Sequence, residues 1–82
     1  MKHFLYIIKC KDNSYYTGIT WNIAKRIQEH NSRTKSCLQK SKVPVMLLYF
    51  EEFLTINEAA KREKEIKGWS RKKKENLINS LH

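Results

Sequence analysis

Residues 3–19 read HFLYIIKCKDNSYYTGI, and the rest of the chain is best understood outward from them. His3 to Cys10 (HFLYIIKC) is rich in aromatic and β-branched side chains, the types that fit a pleated surface. Its apolar run is almost unbroken, which suits a strand covered on both faces rather than one with a wet side. Asp12-Asn13-Ser14 is a turn signal, because short polar side chains bond the local backbone and tolerate left-handed conformations. Tyr15 to Ile19 (YYTGI) then resumes the strand pattern, and the two runs predict an antiparallel hairpin. A three- or five-residue loop puts same-parity positions on one face, so that Tyr6 and Tyr16 share a side. A two-residue Asp12-Asn13 loop puts them on opposite sides, and the sequence admits both. Gly18 has a plainer meaning: glycine inside a strand marks a bulge or a close backbone approach.

After the hairpin, Thr20 to Asn31 (TWNIAKRIQEHN) predicts a helix. Thr20 or Asn22 can cap its start, and Ile23 and Ile27, four apart, mark its buried stripe. Ser32 to Lys42 is polar and basic without periodicity and reads as a loop. Pro44 opens a third strand, Val45 to Phe53 (VMLLYFEEF). Thr55-Ile56-Asn57-Glu58 forms a capping box, in which Thr and Glu satisfy donors of the first helical turn. The helix it starts runs to about Lys67, with Gly68 placed to end it in a left-handed cap. Ser70 can cap a shorter third helix whose stripe is Leu77, Ile78 and Leu81. The order is ββαβαα, one α+β domain over residues 1–82.

A chain of 82 residues buries only a modest core. The smallest domains remove roughly 60% of the unfolded surface from water, so any polar side chain inside asks for a reason. Lys and Arg number 17 against 8 acidic residues, a formal net charge of +9. Such an excess favours a polyanionic partner, nucleic acid first and an anionic membrane surface second. Cys10 and Cys37 form no CxxC pair and no Cys/His cluster of zinc spacing, so a reducing, cytoplasmic compartment fits. Met1-Lys2-His3 leads straight into the first strand without a leader peptide, and no run approaches the ~20 apolar residues of a membrane span.

Three places break the expected pattern. On the second helix, the stripe drawn through Ile56, Ala59 and Ile66 passes through Glu63, while Glu65 points away and can be solvated. An unpaired carboxylate in a core costs several kcal/mol. Glu63 therefore pairs with a base, holds a cation or sits on the floor of a cleft; the bland alternative is a structural ion pair with a nearby Arg or Lys. On the first helix, Arg26 and His30 are four apart and share a face at the edge of the Ile23/Ile27 stripe. Lys25 and Glu29 lie further round, nearer solvent. The plain reading of Arg26 is a snorkelling side chain, and of His30 a half-buried packing residue. Tyr6 and Tyr16, taken alone, are strand packing residues.

The same positions resemble the GIY-YIG nuclease pattern. Its first motif stands here as Phe4-Leu5-Tyr6, keeping only the tyrosine, and its second as Tyr16-Thr17-Gly18, with Thr in place of Ile. Arg26 falls at the family's helix arginine, His30 four residues later in Glu29-His30-Asn31, and Glu63 at the metal-binding glutamate. YYTGIT, KRIQEHN and REKEIKGWS are similar to the short stand-alone bacterial members, the YhbQ-like or UPF0213 group, over about residues 3–75. The resemblance implies a three-stranded antiparallel sheet flanked by helices.

It also implies a metal-dependent endonuclease hydrolysing phosphodiester bonds of nucleic acid, DNA rather than RNA, with low sequence specificity. Glu63 would hold one divalent ion, Mg²⁺ or Mn²⁺. Arg26 would clamp the phosphate with its planar fork. Tyr6 would act as base and Tyr16 as phosphate ligand or positioner, with His30 sharing proton transfer. A tyrosine of ordinary pKa near 10 is a poor base at neutral pH, so neighbouring positive charge must favour its phenolate. Gly18, Lys25 and Lys67 complete the expected substrate contacts, and a protein partner for targeting is a further expectation. The Arg71-Lys72-Lys73-Lys74 run is a solvated face or a phosphate contact. The competing function is a non-catalytic, basic nucleic-acid-binding module on the same scaffold.

Overall fold

In the computed structural model, which describes residues 2–32 and 38–80, the first stretch folds as a hairpin of β1 (His3–Lys9) and β2 (Tyr15–Thr20). The Cys10 N–H donates to the Ser14 carbonyl (2.8 Å) and the Asn13 N–H to the Cys10 carbonyl (2.9 Å), which closes a three-residue loop. Asn13 has φ 69°, the left-handed position such loops need at their last residue. The Asp12 carboxylate adds a brace, accepting from the Ser14 N–H at 3.1 Å and from Lys42 Nζ at 2.9 Å. The loop length selects the same-parity alternative. Tyr6 stands opposite Gly18 and Ile8 opposite Tyr16, so both tyrosines face one side of the sheet.

The third strand, β3 (Met46–Phe53), pairs antiparallel with the other edge of β1, giving the order β2-β1-β3. The register slips between Ile7 and Ile8, the mark of a bulge. Leu48 and Tyr49 consequently both join the apolar cluster of Leu5 and Ile7. Central β1 is covered on both faces, as its unbroken apolar run requires. Tyr6, Ile8 and Cys10 pack with Leu38, Val45 and Ile27 of α1 (Ile23–Ser32). Leu5 and Ile7 pack under Ile66 of α2 (Ile56–Lys67) and Leu77 and Ile78 of α3 (Arg71–Asn79). Leu5, Ile7, Ile8 and Ile66 are wholly buried, each such side chain stabilising by about 1.5–3 kcal/mol.

Helix ends follow their side chains. Asn22 caps α1, its Oδ1 accepting from the Lys25 N–H at 3.0 Å, so the helix starts at Ile23 rather than Thr20. Thr20 is diverted into the preceding turn, where its hydroxyl bonds the Asn22 backbone. The Thr55/Glu58 box caps α2 and Ser70 caps α3. The left-handed cap expected at Gly68 does not form. Its φ and ψ are −82° and −4°, and its N–H and that of Trp69 bond back to the last helical carbonyls. The turn tightens without changing hand because Ser70 begins a new helix directly after it. A short 3-10 turn at Lys40–Lys42 interrupts the expected loop. The remainder of that loop at residues 33–37, with Cys37, and Leu81 of the third helix stripe lie outside the described residues; Cys10 is buried with its thiol free. Among the described residues no helix is long and apolar enough to cross a membrane.

Candidate active site

The face of the sheet that carries both tyrosines also receives α1, and this places four of the anticipated residues together. The Tyr6 hydroxyl lies 2.9 Å from His30 Nε2. The Tyr16 ring stands edge-on to His30, with centroids 5.3 Å apart, and 6.3 Å from the Tyr6 ring. The Arg26 guanidinium also acts electrostatically on the Tyr6 hydroxyl, and at 3.2 Å it meets Glu29 Oε1. His30 is not the half-buried packing residue read from its helix edge but has no exposure at all. The Tyr6 hydroxyl and the Tyr16 ring meet it from the hairpin, on the side that the helix alone leaves at an edge. Glu29 likewise does not point to solvent. Its side chain is 19% exposed, drawn in by Arg26 three residues earlier.

Burial governs the ionisation of the central pair. Desolvation pushes Tyr6 from 10.0 up to about 12. Arg26 acts in the opposite direction, while Tyr16 and Glu63 add to the rise. Positive charge does favour the phenolate, but burial outweighs it. His30 is held below its ordinary 6.5, first by burial and then by Arg26, against a smaller opposing effect of Glu29. Both groups are therefore neutral near pH 7.

Gly18 is explained by its cross-strand partner. A Cβ there would lie 2.6 Å from the Tyr6 hydroxyl oxygen and 2.8 Å from Cζ, so the phenol lies across β2 only because the position is bare. The close approach expected of this glycine is to Tyr6.

Glu63 lies at a rim rather than in the core. Ala59 and Ile66 have no exposure, but Ile56 is 54% exposed, so the first turn of α2 stands clear of the core and the buried stripe begins later. The Glu63 side chain keeps 23% exposure and meets Lys67 Nζ at 3.2 Å, the bland alternative in its simplest i,i+4 form. Its charge nonetheless reaches Tyr6. Glu65 is exposed and pairs with Arg62, whose guanidinium also bonds Glu51 on the opposite face of the sheet. Among the described residues no three His, Cys, Asp or Glu side chains converge as a metal cage. Lys25 is exposed, with its ammonium 5.4 Å from the centre of the Trp21 ring. Arg71 folds over the Tyr15 ring at 4.1 Å and bonds the Asn13 carbonyl, so the first residue of the basic run serves the hairpin.

Beside the cluster opens a cleft lined by Ile19, Trp21, Arg26, Glu29 and Ile56. Sequence reading missed Trp21 and Glu29. The signal for Trp21 was present, an indole in the turn before a basic helix, where no apolar stripe claims it.

Comparison with known proteins shows the family of the chain and its fold. The GIY-YIG catalytic domain model matches residues 2–76. The chain is similar to the UPF0213 proteins of Staphylococcus haemolyticus (48% identical, covering 94% of each chain) and Staphylococcus saprophyticus (51%, 95% of each). Among solved structures it is similar to the UPF0213 protein BH0048 of Bacillus halodurans, with TM-score 0.62, 38% identity, and coverage of 96% of this chain and 84% of that one. It is also similar to protein EF2693 of E. faecalis, with TM-score 0.67, 36% identity, and coverage of 100% and 88%.

Proposed function

The chain belongs to the GIY-YIG catalytic domain family, a family of nucleases, and from that membership we propose that it is a metal-dependent endonuclease hydrolysing the phosphodiester backbone of DNA with low sequence specificity. The observation that supports this reading best is the meeting of Tyr6, Tyr16, Arg26 and His30 on one sheet face. An arginine with bidentate reach, a phenol and a neutral imidazole are what a phosphate and an attacking water need.

Arg26 grips two non-bridging oxygens of the phosphate and loosens from Glu29 as it does so. Tyr16, half-buried at the mouth of the cluster, orients the same phosphate. Tyr6, pushed to about 12, is no base by itself. In this reading it passes protons on: its oxygen takes the proton of the attacking water while its own proton goes to His30 Nε2. His30 is held neutral and thus ready to accept it. The oxygen–phosphorus bond to the leaving strand breaks as the water oxygen bonds phosphorus, and the leaving oxygen takes up a proton from solvent to depart as the alcohol.

The donor set fits one hard divalent ion. Glu63 offers a single carboxylate at an accessible rim, paired only to a half-exposed lysine. Mg²⁺ takes one or two carboxylates and fills its other positions with waters and phosphate oxygens. Bound there, Mg²⁺ or Mn²⁺ would supply charge stabilisation for the phosphate oxygens. Lys67, released from Glu63, and Lys25 would add positive charge for the strand.

The test is cleavage of labelled single-stranded, duplex and branched DNA and RNA in Mg²⁺ or Mn²⁺, wild type against Glu63→Ala. Cleavage should fall in the variant beyond the roughly 10- to 100-fold that changes outside the ligand shell cost. Its folding stability should drop by only about 0.5 kcal/mol, the scale of an exposed i,i+4 pair. Undiminished cleavage by the folded variant would remove Glu63 from the site. Binding without cleavage by wild type would leave a basic nucleic-acid-binding module.

A further inference from the structure

We infer that the cleft beside Arg26 is a subsite for one unstacked nucleobase, with Trp21 as its stacking platform, so that the strand is unpaired next to the attacked phosphate. The inference rests on the nuclease reading for the identity of the phosphate site, and deepens it by naming the substrate's form.

Trp21 is 55% exposed and Ile56 54%, beside the partly buried Ile19. A large indole left in water at the mouth of a cleft is a surface awaiting a flat apolar partner. Its setting selects which one. The Lys25 ammonium stands at the ring and Arg26 forms part of the wall, so the occupant arrives on a polyanion. Arg26 belongs both to this cleft and to the Tyr6 cluster, so a phosphate held by Arg26 brings its own nucleotide to the cleft.

Glu29 sorts the two parts of that nucleotide. Its carboxylate lines the cleft, repels a phosphate there and accepts hydrogen bonds from the amino edge of a base. The phosphate is thereby directed to the Tyr6 side of Arg26 and the uncharged base to the Trp21 side. A base within a duplex stack cannot enter without unpairing, whereas a single strand offers its bases freely.

Tryptophan fluorescence reads this directly, in chelator and without turnover. Wild type and Trp21→Ala are titrated with a short single-stranded DNA, the same sequence as duplex, and an abasic strand of equal charge. Trp69 remains in both proteins as an internal reference. The base-bearing single strand should quench wild type, and the quench should vanish in Trp21→Ala. That variant should bind the strand about tenfold more weakly, the scale of one base–aromatic stack. Trp21→Phe should restore most of the affinity, and the salt dependence should not change. Equal binding and quenching by the abasic strand, or unchanged affinity in Trp21→Ala, overturns the proposal. A change in oligomeric state of Trp21→Ala without any effect on strand binding also overturns it and assigns the patch to a second copy. Quenching without cleavage in Mg²⁺ would retain the subsite and sink the nuclease reading; cleavage indifferent to Trp21 would do the reverse.

Discussion

The hydrogen bond between Tyr6 and His30 joins two neutral groups, and burial is what keeps them so. The consequences for pH have opposite signs. His30 titrates lower in the fold than its unfolded 6.5. Its contribution to stability is complete above that value and is lost as pH falls through the depressed one. Tyr6 is raised to about 12, so its contribution is complete below 10.0 and is lost as pH rises towards 12. Thermal unfolding against pH should thus show a plateau with a fall on each side. His30→Gln should remove part of the acid fall. Tyr6→Phe should remove part of the alkaline fall, the rest belonging to Tyr49, also raised to about 12 by burial and by its bond to Glu51. The acid limb of cleavage should lie below pH 6.5, where His30 takes up its proton; a wild-type midpoint that rises steadily into acid would contradict a neutral His30. Gly18→Ala probes the same hydroxyl from across the strand. The new methyl would sit 2.6 Å from Tyr6 Oη, and a ring exposed by only 1% has nowhere to swing. Destabilisation of about 1–3 kcal/mol is expected, read as a lower denaturation midpoint, with cleavage lost as the phenol leaves His30. An unshifted midpoint would mean that the ring has room. The close approach at this glycine was legible in the sequence. That Tyr6 makes it was not, because this depends on a loop length that separates two opposite hairpin parities.

Secondary structure was legible where side chains carry their own instructions. The capping box at Thr55, the cap at Ser70 and the apolar steps Ile23–Ile27 and Leu77–Ile78 each act within a few residues, and α1, α2 and α3 follow from them. What the sequence could not supply was the setting of a helix on its sheet. The stripe drawn through Ile56 put Glu63 in a core, but the first turn of α2 stands clear of the core, and the carboxylate sits at the rim where an ion or Lys67 can reach it. His30 misled in the other direction, being covered by Tyr6 and Tyr16 from the hairpin, chain positions the helix pattern does not contain. Gly68 is the sharpest local case. A glycine after the last periodic residue commonly adopts a left-handed cap, yet here φ is −82° and an added Cβ would meet only the Glu65 carbonyl oxygen at an ordinary 3.5 Å. Gly68→Ala should therefore stabilise by about 0.4–1 kcal/mol, chiefly by restricting the unfolded chain. In a domain this small that is a rise in Tm of a few degrees. A loss of stability would show that the turn is left-handed after all.

A charge of +9 on 82 residues acts on the whole molecule twice, and the two effects answer salt with opposite signs. In the free protein, like charges repel one another more in the folded state than in the expanded chain. Added salt screens this, because the Debye length shortens to about 10 Å at 0.1 M, while the apolar contacts on both faces of β1 are indifferent to it. The Tm of the free protein should rise with modest NaCl. Nucleic acid reverses the slope. A strand bound at a hundred times its Kd adds about 2.7 kcal/mol to the folded state, and each kcal/mol is worth about 4–8 °C at this size. If about four phosphates are neutralised, affinity falls roughly 50-fold between 50 and 200 mM salt, since the single-strand slope is about −0.7 per contact. At the same strand concentration the increment then shrinks below about 1 kcal/mol. Melting curves with and without a single-stranded oligonucleotide should converge as salt increases, the free curve moving up and the bound curve down. Lys25→Gln should lessen the fall by about one contact, whereas Arg71→Gln, at a residue engaged with Tyr15 and Asn13, should lower both curves together. An increment that ignores salt would mean that the positive charge keeps the protein soluble and contributes nothing to holding the strand, and the roles given to Arg26 and Lys25 would fall with it.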